Sequence, residues 1–306
     1  MRLDSANRSF FALAATALVP YVLLGIFGCG LLSVAVYRLA TEGLGGLHRD
    51  GQDLRPGVAF FALVTTGTVV GVLSVRRQVR ATRALGSLLR ERTVPVPAAV
   101  AAAAQRTGLV GRVEVIEDAE PFSFTYGLFS PRVVVSQGMV AVLGTEELEA
   151  VLHHERHHVR NWDTLKVVVA RAAPAAFFFL PALGHLRGRY LAGRELAADR
   201  RAVRALGERP LVGALYQALE RPAWSDFGAA AALGGAEFLD MRVRQLETGQ
   251  EPPFPRLPRW ATASTLGGLV LLSGAFILTV VNMGDPEPMM GGSGGKGGSA
   301  VLGVLG

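Results

Sequence analysis

Residues 153–158 read His153-His154-Glu155-Arg156-His157-His158, and the run contains one H-E-x-x-H, from His154 to His158. On a helix, positions i and i+4 share a face, so the imidazoles of His154 and His158 can converge on one metal ion. Glu155 follows the first of them, where its carboxylate can reach a water beside the metal and act as general base. His153 and His157 have the same spacing, but no Glu follows His153, and that pair points roughly 100° around the helix. Neutral imidazole suits zinc, which in hydrolytic sites takes His and carboxylate ligands and keeps a position for water. The competing reading is a solvated, His-rich helix face. The flanking pattern speaks against it. Thr145 is placed to cap the helix, and Glu146, Glu147 and Glu149 load its start with negative charge. Leu148, Val151, Leu152, Val159 and Trp162 recur at helical spacing, which packs much of this helix in a core.

A third ligand is expected downstream, and Glu195-Leu196-Ala197-Ala198-Asp199 offers two carboxylates at i and i+4. One of them can bind zinc while the other orients a ligand imidazole from behind. Two alternatives stay open. The acids can form an exposed ladder with Arg194 and Arg200, or His185, in the loop-like stretch Gly184-His185-Leu186-Arg187-Gly188, can supply the third ligand.

H-E-R-H-H-V-R-N-W-D at 154–163, followed by R-E-L-A-A-D-R at 194–200, resembles the membrane-embedded gluzincin peptidases. The BlaR/MecR-type antirepressor metallopeptidases match best, with the HtpX-type peptidases as cousins. Pro121-Phe122-Ser123-Phe124-Thr125-Tyr126-Gly127 and Pro131 to Ser136 are similar to the strand those families place beside the active-site helix. Arg242-Val243-Arg244-Gln245-Leu246 resembles the close of their catalytic domain. The resemblance covers roughly residues 110–260 and implies a mainly α integral membrane protein carrying a gluzincin-like α+β zinc peptidase domain with a small sheet. It also implies one Zn2+ per chain, with His154, His158 and Glu195 as ligands, Glu155 as base and Asp199 supporting a ligand. An edge strand around 122–135, with Phe122, Phe124, Val133 and Val135, is expected to hold substrate backbone by strand addition. Tyr190, His185 and Arg242 are equal candidates for stabilising the transition state. The family suggests a protein substrate such as a cytoplasmic transcriptional repressor, or, on the HtpX side, quality control of membrane proteins. Penicillin-sensing members carry a large extracellular sensor domain, and no stretch here has the length expected of one.

Composition agrees with a membrane protein: of 306 residues, 50% are hydrophobic and 18% charged, against about 25% charged in soluble domains. The single cysteine, Cys29, excludes a disulfide framework within the chain. Phe10 to Tyr37, Gly57 to Val75 and Trp260 to Val281 read as transmembrane helices. A cleaved signal peptide is the alternative for the first, but its apolar run continues well past the length of a signal core. Arg76, Arg77, Arg80, Arg83, Arg90 and Arg92 follow the second span, opposed by Glu91, so positive-inside bias puts the N-terminus and the catalytic domain in the cytoplasm of a multi-pass plasma-membrane protein. Nucleic-acid binding by those arginines needs more assumptions than their juxtamembrane position. Val167 to Leu186 is apolar enough to span, yet a single crossing would separate Glu195 from the histidines, and zinc bonds are only about 2 Å long. A buried or re-entrant hairpin is therefore expected there. The resulting division is a two-helix hairpin at 1–76, the peptidase domain at 77–259, a membrane helix at 260–283 and a flexible Gly-rich tail at 284–306. The partners expected are the bilayer and a protein or peptide substrate, with no direct nucleic acid; a homodimer is compatible with all of this. Two other functions, a silent scaffold with structural zinc and a metal sensor or transporter using His153 and His157, fit less well with a free Glu155 beside three ligands.

Overall fold

A computed structural model describes residues 4–43, 55–220 and 238–284. In chain order its elements are α1 (Ser5–Glu42), α2 (Arg55–Glu91), β1 (Thr93–Val94), α3 (Ala98–Thr107), β2 (Val113–Ile116), β3 (Ser123–Tyr126) and β4 (Arg132–Ser136). Then follow α4 (Gln137–Val142), α5 (Thr145–Asn161), α6 (Asp163–Ala176), α7 (Ala182–Leu206), α8 (Glu208–Glu220), α9 (Leu239–Thr248) and α10 (Arg259–Gly284). The protein is mainly α-helical with one small mixed sheet. Among the described residues three stretches are long and apolar enough to cross a membrane: Ser5–Gly30, Val58–Glu91 and Arg259–Leu278. Their outward faces carry Leu18, Ile26, Val69, Leu73, Val270 and Leu271, exposed apolar side chains that a bilayer solvates and water does not. Residue 76 falls inside α2, which runs unbroken to Glu91 and packs Leu85 and Leu89 beside Ile116, Phe122 and Val134. The same helix is thus a membrane span at one end and a prop for the sheet at the other. The Gly-rich tail from residue 285 lies outside the described residues.

The sheet order is β1-β2-β4-β3, with β2 and β4 parallel and the other pairs antiparallel. β4 is buried on both faces. Val133 and Val135 join Val100, Leu148, Val151 and Leu152 in the core under α3 and α5, while Val134 faces Leu89 and Phe122. The expected edge strand across 122–135 is therefore two strands, divided at Gly127, whose φ of 89° and close approach to the Ser130 carbonyl exclude a side chain. Val133 and Val135 sit in an interior strand bonded on both sides, so they cannot receive an added strand. β3 is the edge, and it carries Phe124; Phe122, just before it, is buried and stacks on Phe124 at 5.9 Å.

α6 and α7 form a hairpin that reverses at 177–181, with Pro174 in the last turn of one helix and Pro181 just ahead of the other. All three apolar helices enclose its tip. The Phe177 ring lies 5.0 Å from that of Tyr21 on α1, and Leu180 lies against Gly268 on α10. On α2, Gly67 and Gly71 receive Ala176 so closely that a Cβ on Gly67 would lie 2.1 Å from its carbonyl oxygen. Backbone polar groups at the tip are satisfied locally: Phe177 N–H donates to Ala173 O at 2.9 Å, Leu180 N–H to Phe177 O at 2.9 Å, and Ala182 N–H to Thr265 Oγ1 at 3.0 Å. α7 then returns along α1, past Phe10, and brings residues 190–199 to α5.

Candidate metal centre

α5 starts one residue earlier in its capping than expected. Gly144, not Thr145, precedes the helix, and its N–H donates to Glu147 Oε2 at 2.8 Å. Leu148, Val151, Leu152 and Val159 are buried as the pattern predicts, which turns His154 and His158 toward α7 and Glu155 toward β3. Trp162 is not on that face. It ends the helix at φ 56°, the one non-glycine positive φ among the described residues, and is 47% exposed. This sharp break starts α6 at Asp163 and swings its carboxylate back under His158.

The two Nε2 atoms of His154 and His158 are 3.2 Å apart; Glu195 Oε2 lies 3.5 Å from the first and Oε1 3.8 Å from the second. Ligand atoms placed tetrahedrally around an ion at zinc distances are about 3.4 Å apart, so the three side chains fit one ion. All three are buried. Each imidazole is held from behind through Nδ1. His154 Nδ1 is 2.8 Å from Asp199 Oδ1, and Arg242 clamps Asp199 with Nε–Oδ2 at 2.7 Å and Nη2–Oδ1 at 2.8 Å. His158 Nδ1 is 2.7 Å from Asp163 Oδ2, while Asp163 Oδ1 accepts from Asn161 Nδ2 at 2.6 Å and Tyr190 OH at 3.1 Å. A carboxylate at Nδ1 fixes the proton there and leaves the Nε2 lone pair facing the cluster.

Charges of both signs, buried or largely so, meet here. Burial works to lower the His154 pKa, yet the Asp199 and Glu195 carboxylates raise it to about 9. Burial works to raise Glu195, but Arg194, with Nη2 3.0 Å from Oε1, holds it well below the usual carboxylate range together with the histidines. Asp199 is likewise pulled down to about 2, against burial, by Arg242 and His154. Glu195 and Asp199 are therefore buried charges in a shared site and not an exposed ladder. Glu155 points to the other side: Ser123 Oγ donates to Oε1 at 3.1 Å and Thr125 Oγ1 to Oε2 at 2.7 Å, both from β3.

His185 lies in α7, not in a loop. Ten residues of helix, about 15 Å of rise, separate it from Glu195, and its ring packs 5.8 Å from Trp260. Neither a ligand role nor a transition-state role is open to it there. Tyr190 is fully buried with its hydroxyl on Asp163, and Arg242 is spent on Asp199, so both hold the carboxylates behind the histidines and not the reacting atoms. The sequence reading missed Asp163, Ser123, Thr125 and the buried position of Arg194. For Asp163 a signal existed, since N-W-D closes the motif stretch; the two hydroxyls carried none.

A helical membrane protein with an H-E-x-x-H helix facing a buried glutamate on a second helix has the frame of a membrane metallopeptidase. Residues 58–213 match the family model described as BlaR1 peptidase M56, more than half of the chain, and the chain belongs to that family. It is also similar to proteins named Protease HtpX homolog. That of Leuconostoc citreum is 41% identical over 76 residues, 24% of this chain and 25% of the relative. That of Thermococcus kodakarensis is 40% identical over 81 residues, 25% of this chain and 28% of the relative. That of Campylobacter curvus is 28% identical over 151 residues, 47% of this chain and 53% of the relative. The chain thus spans about a quarter to a half of the curated relatives it matches.

Proposed function

We propose that this protein is an integral-membrane zinc endopeptidase, with His154, His158 and Glu195 holding one ion per chain and Glu155 as general base. The observation that carries the reading is the convergence of those three ligand atoms with Glu155 beside them and outside the set. A zinc ion held there supplies Lewis acidity to a scissile carbonyl. Glu155 takes a proton from the attacking water as the O–C bond forms, and returns it to the amine nitrogen as the C–N bond breaks. Ser123 and Thr125 orient its two oxygens. The β3 edge, with Phe124, lies next to Glu155, and an extended substrate segment added to that edge meets the site in one register.

The substrate is a protein. Family membership supports regulated cleavage of a cytoplasmic regulator, such as a transcriptional repressor, from a catalytic unit on the cytoplasmic face of the plasma membrane. Quality-control cleavage of membrane proteins is the second reading, and the likeness to HtpX homologs favours it equally. A silent scaffold is separated from both by one variant. Glu155→Gln in the detergent-solubilised full chain keeps stoichiometric zinc and loses casein cleavage by at least ~100-fold; cleavage at the wild-type rate in that variant would overturn the mechanism.

A further inference from the structure

The two histidines of the cluster are supported from different parts of the molecule. Asp199 and Arg242, behind His154, belong to α7 and α9. Support of Asp163, behind His158, leads to the first membrane helix. Lys166, one of only two lysines in the chain, donates from Nζ to Asn7 Oδ1 on α1 at 2.7 Å and to Asn161 Oδ1 on α5 at 2.9 Å. Asn7 Nδ2 reaches the same Asn161 oxygen at 3.3 Å. With its oxygen claimed twice, the Asn161 amide has one orientation, and its Nδ2 donates to Asp163 Oδ1. A half-buried ammonium needs its donors matched, and α1 provides one of its two acceptors here.

An apolar route runs beside the polar one. Phe10 of α1 packs 5.3 Å from the Tyr190 ring, whose hydroxyl donates to the same Asp163 oxygen, and Lys166 Nζ sits 5.7 Å from the Phe10 ring centre. The first turn of α1 is itself closely seated. Asp4 Oδ1 caps Asn7 N–H at 2.8 Å, and Ala6 lies so near Gly193 that a Cβ there would come within 3.1 Å.

We propose that Asn7, Lys166 and Asn161 are positioning residues through which the docking of α1 sets the His158 imidazole, so that metal affinity depends on how the first membrane helix is seated. This rests on reading His158 as a ligand. A tilt or displacement of α1 would act on His158 through these bonds and also on α7 through the Ala6–Gly193 seat, whereas side-chain changes at Asn7 or Lys166 isolate the path to His158 from the Asp199–Arg242 support of His154. The chain thereby has a physical path from an event in the membrane to the site, the hydrogen bonds from Asn7 through Asn161 and Asp163 to His158, with the Phe10–Tyr190 ring contact beside it.

The test uses the full chain in lipid nanodiscs, with zinc affinity from chelator competition and the visible spectrum of the Co2+-loaded protein. Asn7→Leu and Lys166→Met should each weaken zinc about 5–10-fold and alter the cobalt spectrum, less than the ~10–100-fold typical of a group touching the ligand itself. Asn7→Asp keeps an acceptor for Lys166 and should restore both readouts. In an Asp163→Asn background, Asn7→Leu should have no further effect, whereas with Asp199→Asn the two losses should multiply. Should Lys166→Met fail to fold, the Asn7 pair decides alone. Wild-type affinity and spectrum in folded Asn7→Leu, or multiplicative losses with Asp163→Asn, would overturn this inference only; a wild-type chain that binds no zinc would overturn the site reading as well.

Discussion

At the scale of single residues the site is a set of graded dependences. Glu195 offers the third ligand atom and His185 is remote, so Glu195→Ala should lower zinc affinity by orders of magnitude and His185→Ala should leave it unchanged. Asp163→Ala and Asp199→Ala, each removing the acceptor behind one imidazole, should fall between, at about 10–100-fold. Chelator competition on the purified variants gives the order, and a loss in His185→Ala matching that in Glu195→Ala would dismantle the ligand set. The pairing within the candidate set was legible in the sequence because helical spacing puts His154 with His158 and Glu195 with Asp199 on shared faces; the structure brings three of the four within reach of one ion. What spacing alone does not give is contact between elements. Which carboxylate of the Glu195/Asp199 pair faces the cluster depends on the rotation of α7 about its axis, set by Ala6 against Gly193 and Phe10 against Tyr190. Ser123 and Thr125 reach Glu155 through the register of β3 on β4, which no local pattern announces.

At the scale of elements, the α6–α7 hairpin decides whether the ligands meet, and its seat on α2 is built from two glycines. Gly67 and Gly71 are four apart on one face, a spacing that lets helix backbones approach closely where lipid offers no hydrophobic drive. In the apolar run of α2 the Gly67/Gly71 spacing is the mark of this seat, and it does not say which helix is received there. A Cβ at Gly67 would collide with the Ala176 carbonyl at 2.1 Å, and one at Gly71 would press Ala176 Cβ at 2.8 Å. Gly274 on α10 has open space around it. Gly67→Ala should therefore destabilise the folded protein by about 1–3 kcal/mol, the usual cost of overpacking, and weaken zinc by displacing α7. Gly71→Ala should do less and Gly274→Ala nothing measurable. Thermal unfolding in one detergent, followed by helical circular dichroism, checks the series; an unchanged midpoint in Gly67→Ala would mean the hairpin is not seated there. The break at Trp162 carried no such mark. Its apolar side chain fits the helical pattern of α5, but the chain turns through αL at that residue to bring Asp163 under His158.

For the whole molecule, the contacts put the start of α1, the end of α2 and the start of α10 at one end, together with the candidate metal centre. Asn7 of α1 bonds to Asn161 and Lys166, Ser5 bonds to Glu251 ahead of α10, and Leu89 of α2 lies under the sheet. These segments must then share one side of the bilayer, and charge selects which. Arg76, Arg77, Arg80, Arg83 and Arg90 line the exposed face of α2 just beyond its apolar part, where positive residues hold a segment in the cytoplasm. We therefore expect the sheet, α5 and α9 inside the cell and the chain beyond α10 outside. Single cysteines replacing Ser130 in the β3–β4 turn, Thr248 at the end of α9 and Ser299 in the tail, each in a Cys29→Ser background, can be probed on intact cells with a membrane-impermeant thiol reagent. Ser130 and Thr248 are exposed on the protein, so protection there reports the membrane and not burial. Labelling confined to Ser299→Cys is the expected result, with the other two reacting once the cells are opened. Labelling of Ser130→Cys on intact cells would invert the molecule, and a cytoplasmic substrate would then be out of its reach.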